Sequence, residues 1–80
     1  MKLKQIGSNQ TELATNGMVV FFSYETPVAV MLPSGRYVKT STNYSVTTTK
    51  HINKWLKGVM ADVETVEQSV IDNLTNEVAQ

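Results

Sequence analysis

The chain has 80 residues, 41% of them hydrophobic, and no cysteine, which fits one small domain and excludes a disordered chain, disulfides, thiolate metal sites and Cys nucleophiles. Seven Lys and Arg balance seven Asp and Glu beside a single histidine, which argues against a wholly basic nucleic-acid binder and against a multi-His metal centre. The balance hides a division: residues 1–60 hold every base against only Glu12 and Glu25, and 61–80 hold five acids and no base, so two differently charged surfaces are expected.

The first forty residues predict a β-meander with strands at about 2–6, 10–15, 18–24, 27–32 and 36–42. Ser8-Asn9 supplies a weak turn signal. Asn16-Gly17 is the strongest hairpin signal, because a type I′ turn needs φ > 0 at both central positions. Pro33-Ser34-Gly35 suits a type I turn with a bulge. Pro27 cannot donate to a ladder and belongs at a strand start or on an edge. Met18–Tyr24 is apolar on both faces and should be central, with Val20, Phe22 and Tyr24 facing one way and Val19, Phe21 and Ser23 the other. The longest apolar run, Met18 to Phe22, is far short of a membrane span. No signal-peptide run follows Lys2 and Lys4, so a cytosolic chain is expected.

After Thr42 the period changes. Ile52, Trp55, Leu56 and Val59 form one apolar helical face, with Thr47 or Thr48 as the N-cap and Gly58 as the left-handed stop. A second, acidic helix is expected over about 62–78, starting near Asp62, with Val63, Val66, Val70, Leu74 and Val78 on one stripe. The class is α+β: a small antiparallel meander of about five strands followed by two helices, on one face of the sheet or at one end. The whole chain, 1–80, reads as a single domain, with the sheet and first helix in 1–58 and the acidic amphipathic helix in 59–80. A core this small leaves stability marginal, so association into a homo-oligomer through the C-terminal stripe is expected.

Chemistry concentrates in Tyr44, Ser45, Thr47, Thr48, Thr49, Lys50 and His51. Hydroxyls lead into a helix start whose free N–H groups and dipole favour anions, and Lys50 adds charge, so the segment reads as a phosphate or carboxylate cradle. The alternative is a plain Ser/Thr cap. Lys50, Lys54 and Lys57 form a basic stripe that is either a solvated face or an attractor of phosphates. His51 lies about 40° from Trp55 on the helix wheel and could donate to a ligand. Arg36 offers a guanidinium fork to phosphate, and Tyr37 or Tyr44 could stack on a base.

Tyr24-Glu25-Thr26-Pro27-Val28-Ala29, then Tyr37 to Thr40, then Tyr44-Ser45-Val46-Thr47-Thr48-Thr49-Lys50-His51-Ile52-Asn53-Lys54-Trp55-Leu56 together resemble a set of small bacteriophage-encoded proteins of unassigned function. The resemblance covers roughly 18–58. It implies phage origin and action in the host bacterial cytoplasm, and its recurring polar residues fall here on Glu25, Thr26, Tyr37, Thr40, Tyr44, Ser45, Thr47, Thr48, Lys50, His51 and Asn53. The leading expectation is therefore a non-catalytic counter-defence protein. It would sequester a phosphate-bearing nucleotide signal in an oligomer pocket lined by Thr47–His51, Arg36 and tyrosines. The alternative is a phage regulator that binds a host protein or nucleic acid through the Lys50/Lys54/Lys57 face, and a third reading is a structural part of the virion. Catalysis is not expected, since paired carboxylates, a nucleophile elbow and a metal set are all lacking, and no cofactor or membrane contact is implied.

Overall fold

The computed structural model describes residues 2–15, 17–59 and 63–79. Five strands run in chain order: β1 (Lys2–Gly7), β2 (Gln10–Thr15), β3 (Met18–Ser23), β4 (Thr26–Met31) and β5 (Tyr37–Thr40). Each pairs antiparallel with the next. Helix α1 (Val46–Trp55) then crosses over to β6 (Val63–Val66), which lies beside β5 and parallel to it, and α2 (Gln68–Ala79) ends the chain. The result is a six-stranded sheet in sequential order. The β5–α1–β6 unit follows the rule that parallel neighbours need a crossover, usually a helix. Among the described residues no helix is long and apolar enough to cross a membrane.

The meander forms where turn chemistry and alternation place it. Asn9 takes φ 59° in the first hairpin, a conformation that asparagine tolerates better than most residues. Gly35 takes φ 89°, and the Leu32 and Arg36 backbones close that hairpin with a 2.7 Å hydrogen bond. Asn16 of the expected Asn-Gly turn lies outside the described residues. Pro27 sits at the start of β4, opposite Phe22 and beside a bulge, and off the β4–β5 ladder. Its missing N–H costs nothing there.

Strand β3 is third of six and buried on both faces. On one face Val20 joins Leu13, Val30, Val38 and Ile71, with Phe22, Val66 and Leu74 packed against them. On the other Phe21 joins Val28, Ala29 and Ile52, with Trp55 and Leu56. The two helices therefore lie on opposite faces of the sheet, where sequence reasoning expected them together. A strand apolar on both sides needs two covers.

Two further expectations are corrected. The N-cap of α1 is Ser45, whose side chain accepts from the Thr48 N–H, not Thr47 or Thr48. Gly58 does adopt φ 86°, two residues beyond the C-cap Leu56. The second helix begins at Gln68, not near Asp62 (itself outside the described residues), because Val63–Val66 joins the sheet as β6. β-branched residues lose side-chain freedom in a helix and fit a pleated strand well. The later start also changes the phase of α2. Ile71 is fully buried, whereas Val70 of the expected stripe is 42% exposed. Ile71 and Leu74 are the α2 residues that face the protein's own sheet, and the chain from Val63 on is a strand followed by a helix, not one helix.

The phase of α2 yields the first prediction. Ile71→Ala should cost about 2–5 kcal/mol of unfolding free energy, whereas Val70→Ala should stay within about 0.5 kcal/mol. Urea denaturation of both variants checks this, and equal losses would contradict the packing.

Candidate functional site

Helix α1 is fixed to the sheet at both ends. At its C-terminal end the Trp55 ring stacks on Phe21 with centroids 5.0 Å apart and meets Tyr37 edge-on at 5.8 Å. Its Nε1–H donates to Glu12 Oε2 at 2.6 Å, so the one polar atom of the indole is satisfied. At its N-terminal end a chain of hydroxyls does the same work. Thr48 N–H donates to Ser45 Oγ at 3.1 Å, and Ser45 Oγ donates to Thr48 Oγ1 at 3.2 Å. Thr48 Oγ1 and Ser23 Oγ lie 3.2 Å apart, and Ser23 Oγ lies 2.8 Å from His51 Nδ1.

Each hydroxyl has a single hydrogen, which orders this chain. Ser23 Oγ donates its hydrogen to Thr48 Oγ1, so the hydrogen shared with His51 comes from Nδ1. Ser23 and His51 make a serine–imidazole pair, yet Ser23 is only 2% exposed. A substrate carbonyl cannot reach such an oxygen without opening the sheet–helix contact. The pair clamps the end of β3 to α1. His51 also packs against Tyr24, with ring centroids 5.9 Å apart.

The residues expected in an anion cradle divide accordingly. Tyr44, Ser45, Thr47, Thr48, Thr49, Lys50 and His51 do gather at the start of α1. Ser45 and Thr48 are engaged within the fold, and Thr49 Oγ1 donates back to Ser45 O at 3.0 Å. Tyr44 is 46% exposed, and Thr47 and Lys50 are exposed beside it. Tyr37 lies at the other end of β5 and Arg36 just before it, about 10 and 13 Å along the strand from Thr40. Arg36 Nη2 pairs with Glu64 Oε2 at 3.1 Å, and Tyr37 packs on Trp55. These two do not join the group.

Sequence reasoning missed what lies next to it. A cleft of about 200 Å³ opens between α1 and the segment leading into it. Lys39, Thr42, Asn43, Thr49 and Asn53 line it, with the buried Thr40 and Ile52. Thr49, Ile52 and Asn53 share one helical stripe. Among the described lining residues there is an ammonium, hydroxyls and amides but no carboxylate, a donor set suited to an anion. Lys39 alternates unremarkably along β5, and only the seating of α1 over that face gives it a role. Lys50, Lys54 and Lys57 are all exposed. Among the described residues no three His, Asp or Glu side chains come together as a metal site needs.

Residues 1–73 match the family model described as a family of unknown function, DUF8033, and the chain belongs to that family. The match reaches beyond the 18–58 segment that carries the resemblance and takes in the N-terminal hairpin, β6 and the first half of α2. No curated protein and no solved structure matches the chain.

The clamp is testable through coupling. Ser23→Ala leaves His51 Nδ1 without its partner and should cost about 1–3 kcal/mol, as should Thr48→Val, which removes the acceptor of both Ser23 and Ser45. The double variant should cost clearly less than the two together, since both remove one network. Additive losses in a urea double-mutant cycle would show that the hydroxyls act separately.

Proposed function

We propose that this protein is a non-catalytic binding protein that holds the phosphate of a nucleotide-like ligand in the cleft between α1 and the end of β5. The observation that carries this reading is the lining: Lys39 with the hydroxyls and amides of Thr42, Asn43, Thr49 and Asn53, and no acid among the described lining residues. The cleft borders the first turn of α1, where the helix dipole adds to the attraction for anions. Lys39 supplies the charge, and Asn43, Thr49 and Asn53 direct hydrogen bonds.

Size shapes the rest of the proposal. At about 200 Å³ the cleft is below the roughly 300–1,000 Å³ of sites that enclose a small-molecule ligand. It accommodates a phosphate and part of a sugar, and the remainder of a nucleotide must meet another surface. A second copy of the chain could complete the pocket, which is the role we assign to oligomerisation. The resemblance to phage-encoded proteins sets such binding in a bacterial host, where withholding a nucleotide signal would act as counter-defence.

Calorimetry against cyclic dinucleotides, ADP-ribose and inorganic phosphate tests the proposal. Binding should occur with the ligand recovered chemically intact. Lys39→Ala should weaken it by about tenfold or more, the worth of one charge-assisted hydrogen bond, and Lys57→Ala should not. No heat with any of these compounds, or conversion of the ligand, would refute the reading.

A second reading rests on the exposure of Lys50, Lys54 and Lys57 along α1, a face that could meet nucleic acid or an acidic host protein. Three phosphate contacts would make log K for duplex DNA fall against log salt with a slope of about −2.7. A filter-binding affinity independent of salt would remove the nucleic-acid form of this reading.

A further inference from the structure

Helix α2 packs mainly on β4 and β5, and the outer part of its sheet face, at the exposed Leu3 and Gln5 of β1, stays open. Two adjoining open cavities lie there. The larger, about 630 Å³, is lined by Gln5, Asn9, Thr11, Tyr24, Glu25 and Thr26. The smaller, about 260 Å³, adds Leu3 and Phe22 to Thr11, Tyr24 and Glu25. Register places Gln5, Thr11 and Phe22 side by side across three strands, so the cup has a sheet floor and the β3–β4 turn as its wall.

Tyr24 is the hinge of both cavities and is held at a conformational cost. Its φ is 58°, a left-handed value that is an outlier for a bulky residue. Its N–H donates to Asn9 O at 2.7 Å, which ties the strained turn to the other left-handed residue of this rim. The side chain remains about half exposed, with its ring beside His51. Glycine or asparagine would relax the backbone but remove the ring. Backbone strain of this kind collects where a side chain must be presented.

The chemistry of the cup is unlike that of the α1 cleft. It has one carboxylate, two amides, two threonine hydroxyls and an exposed aromatic ring, and no ammonium or guanidinium among its described lining residues. Glu25 repels phosphate. Carboxylate and amide groups instead match neighbouring hydroxyls, each of which both donates and accepts. The electron-rich face of Tyr24 attracts polarised C–H bonds, and Leu3 and Phe22 extend the cup with an apolar lobe. We propose that this cup binds a neutral saccharide, stacked on Tyr24 and hydrogen-bonded through Glu25, Asn9 and Gln5.

Amide chemical-shift titrations of the full chain with methyl β-glucoside and the methyl glycoside of N-acetylglucosamine test the proposal, with lysine methyl ester and inorganic phosphate as the charged probes. At least one glycoside should move the Asn9, Tyr24 and Glu25 signals, and phosphate should not. Tyr24→Asn should raise Tm by about 4–8 °C while weakening the glycoside at least tenfold, a pairing that a purely structural tyrosine would not produce. Glu25→Ala, on an exposed turn, should weaken the glycoside without altering Tm. The proposal falls if neither glycoside moves these signals, if only lysine methyl ester does, or if Tyr24→Asn lowers Tm and leaves binding unchanged. None of these outcomes bears on the phosphate cleft, which is read through Lys39 on the opposite face.

Discussion

The fold depends on strands β3 and β4 being shielded from water on both sides. Val20, Phe21, Val28, Ala29 and Val30 are all fully buried, and side chains alternate between faces along a strand. No single helix can shield such a sheet. The chain covers one face with α1 and the other with α2. Everything else follows from that division, including the crossover, the sixth strand and the surfaces left over.

One consequence is electrical. Helix α1 carries Lys50 and Lys54 and no acid, whereas α2 carries Asp72 and Glu77 and no base. Placed on opposite faces, they give the molecule a basic side and an acidic side. The two charge blocks meet at the strand edge, where Arg36 pairs with Glu64. That pair is exposed and contributes little to stability. The acidic segment is retained by hydrophobic contact through Val66, Ile71 and Leu74, far more than by attraction to the basic part.

A second consequence concerns which polar groups remain available to a ligand. The most suggestive hydroxyls in the chain, Ser45 and Thr48, serve to seat α1 on Ser23. Buried polar atoms need partners, and the fold has the first claim on them. Side chains outside that network line the cleft, above all Lys39 and Asn53. The sheet face beyond α2 carries a cavity with one carboxylate and no cation among its described lining residues. Two small covers on a six-stranded sheet leave two open ends, and alternation along the strands gives them opposite chemistry.

Much of the architecture was legible from local pattern. Alternation located the five strands to within a residue or two, and the left-handed Gly35 and Gly58 stand where turn chemistry put them. The apolar face of α1 is the one its spacing indicated. These features depend on neighbours a few residues apart, and such relations are written directly in the chain. The spacing of Val63 and Val66 was misleading, because three residues apart is one helical face but opposite faces of a strand. Pairing with β5 resolved that ambiguity and set the phase of α2. The clamp of Ser23 on His51 and the place of Lys39 in the cleft join residues from separate elements. Composition and periodicity by themselves determined a sheet with two amphipathic helices and a divided charge. Only tertiary packing decided which face each helix covers, and with it which polar groups are consumed and which stay open, because burial is a property of surfaces brought together and not of the residues that supply them.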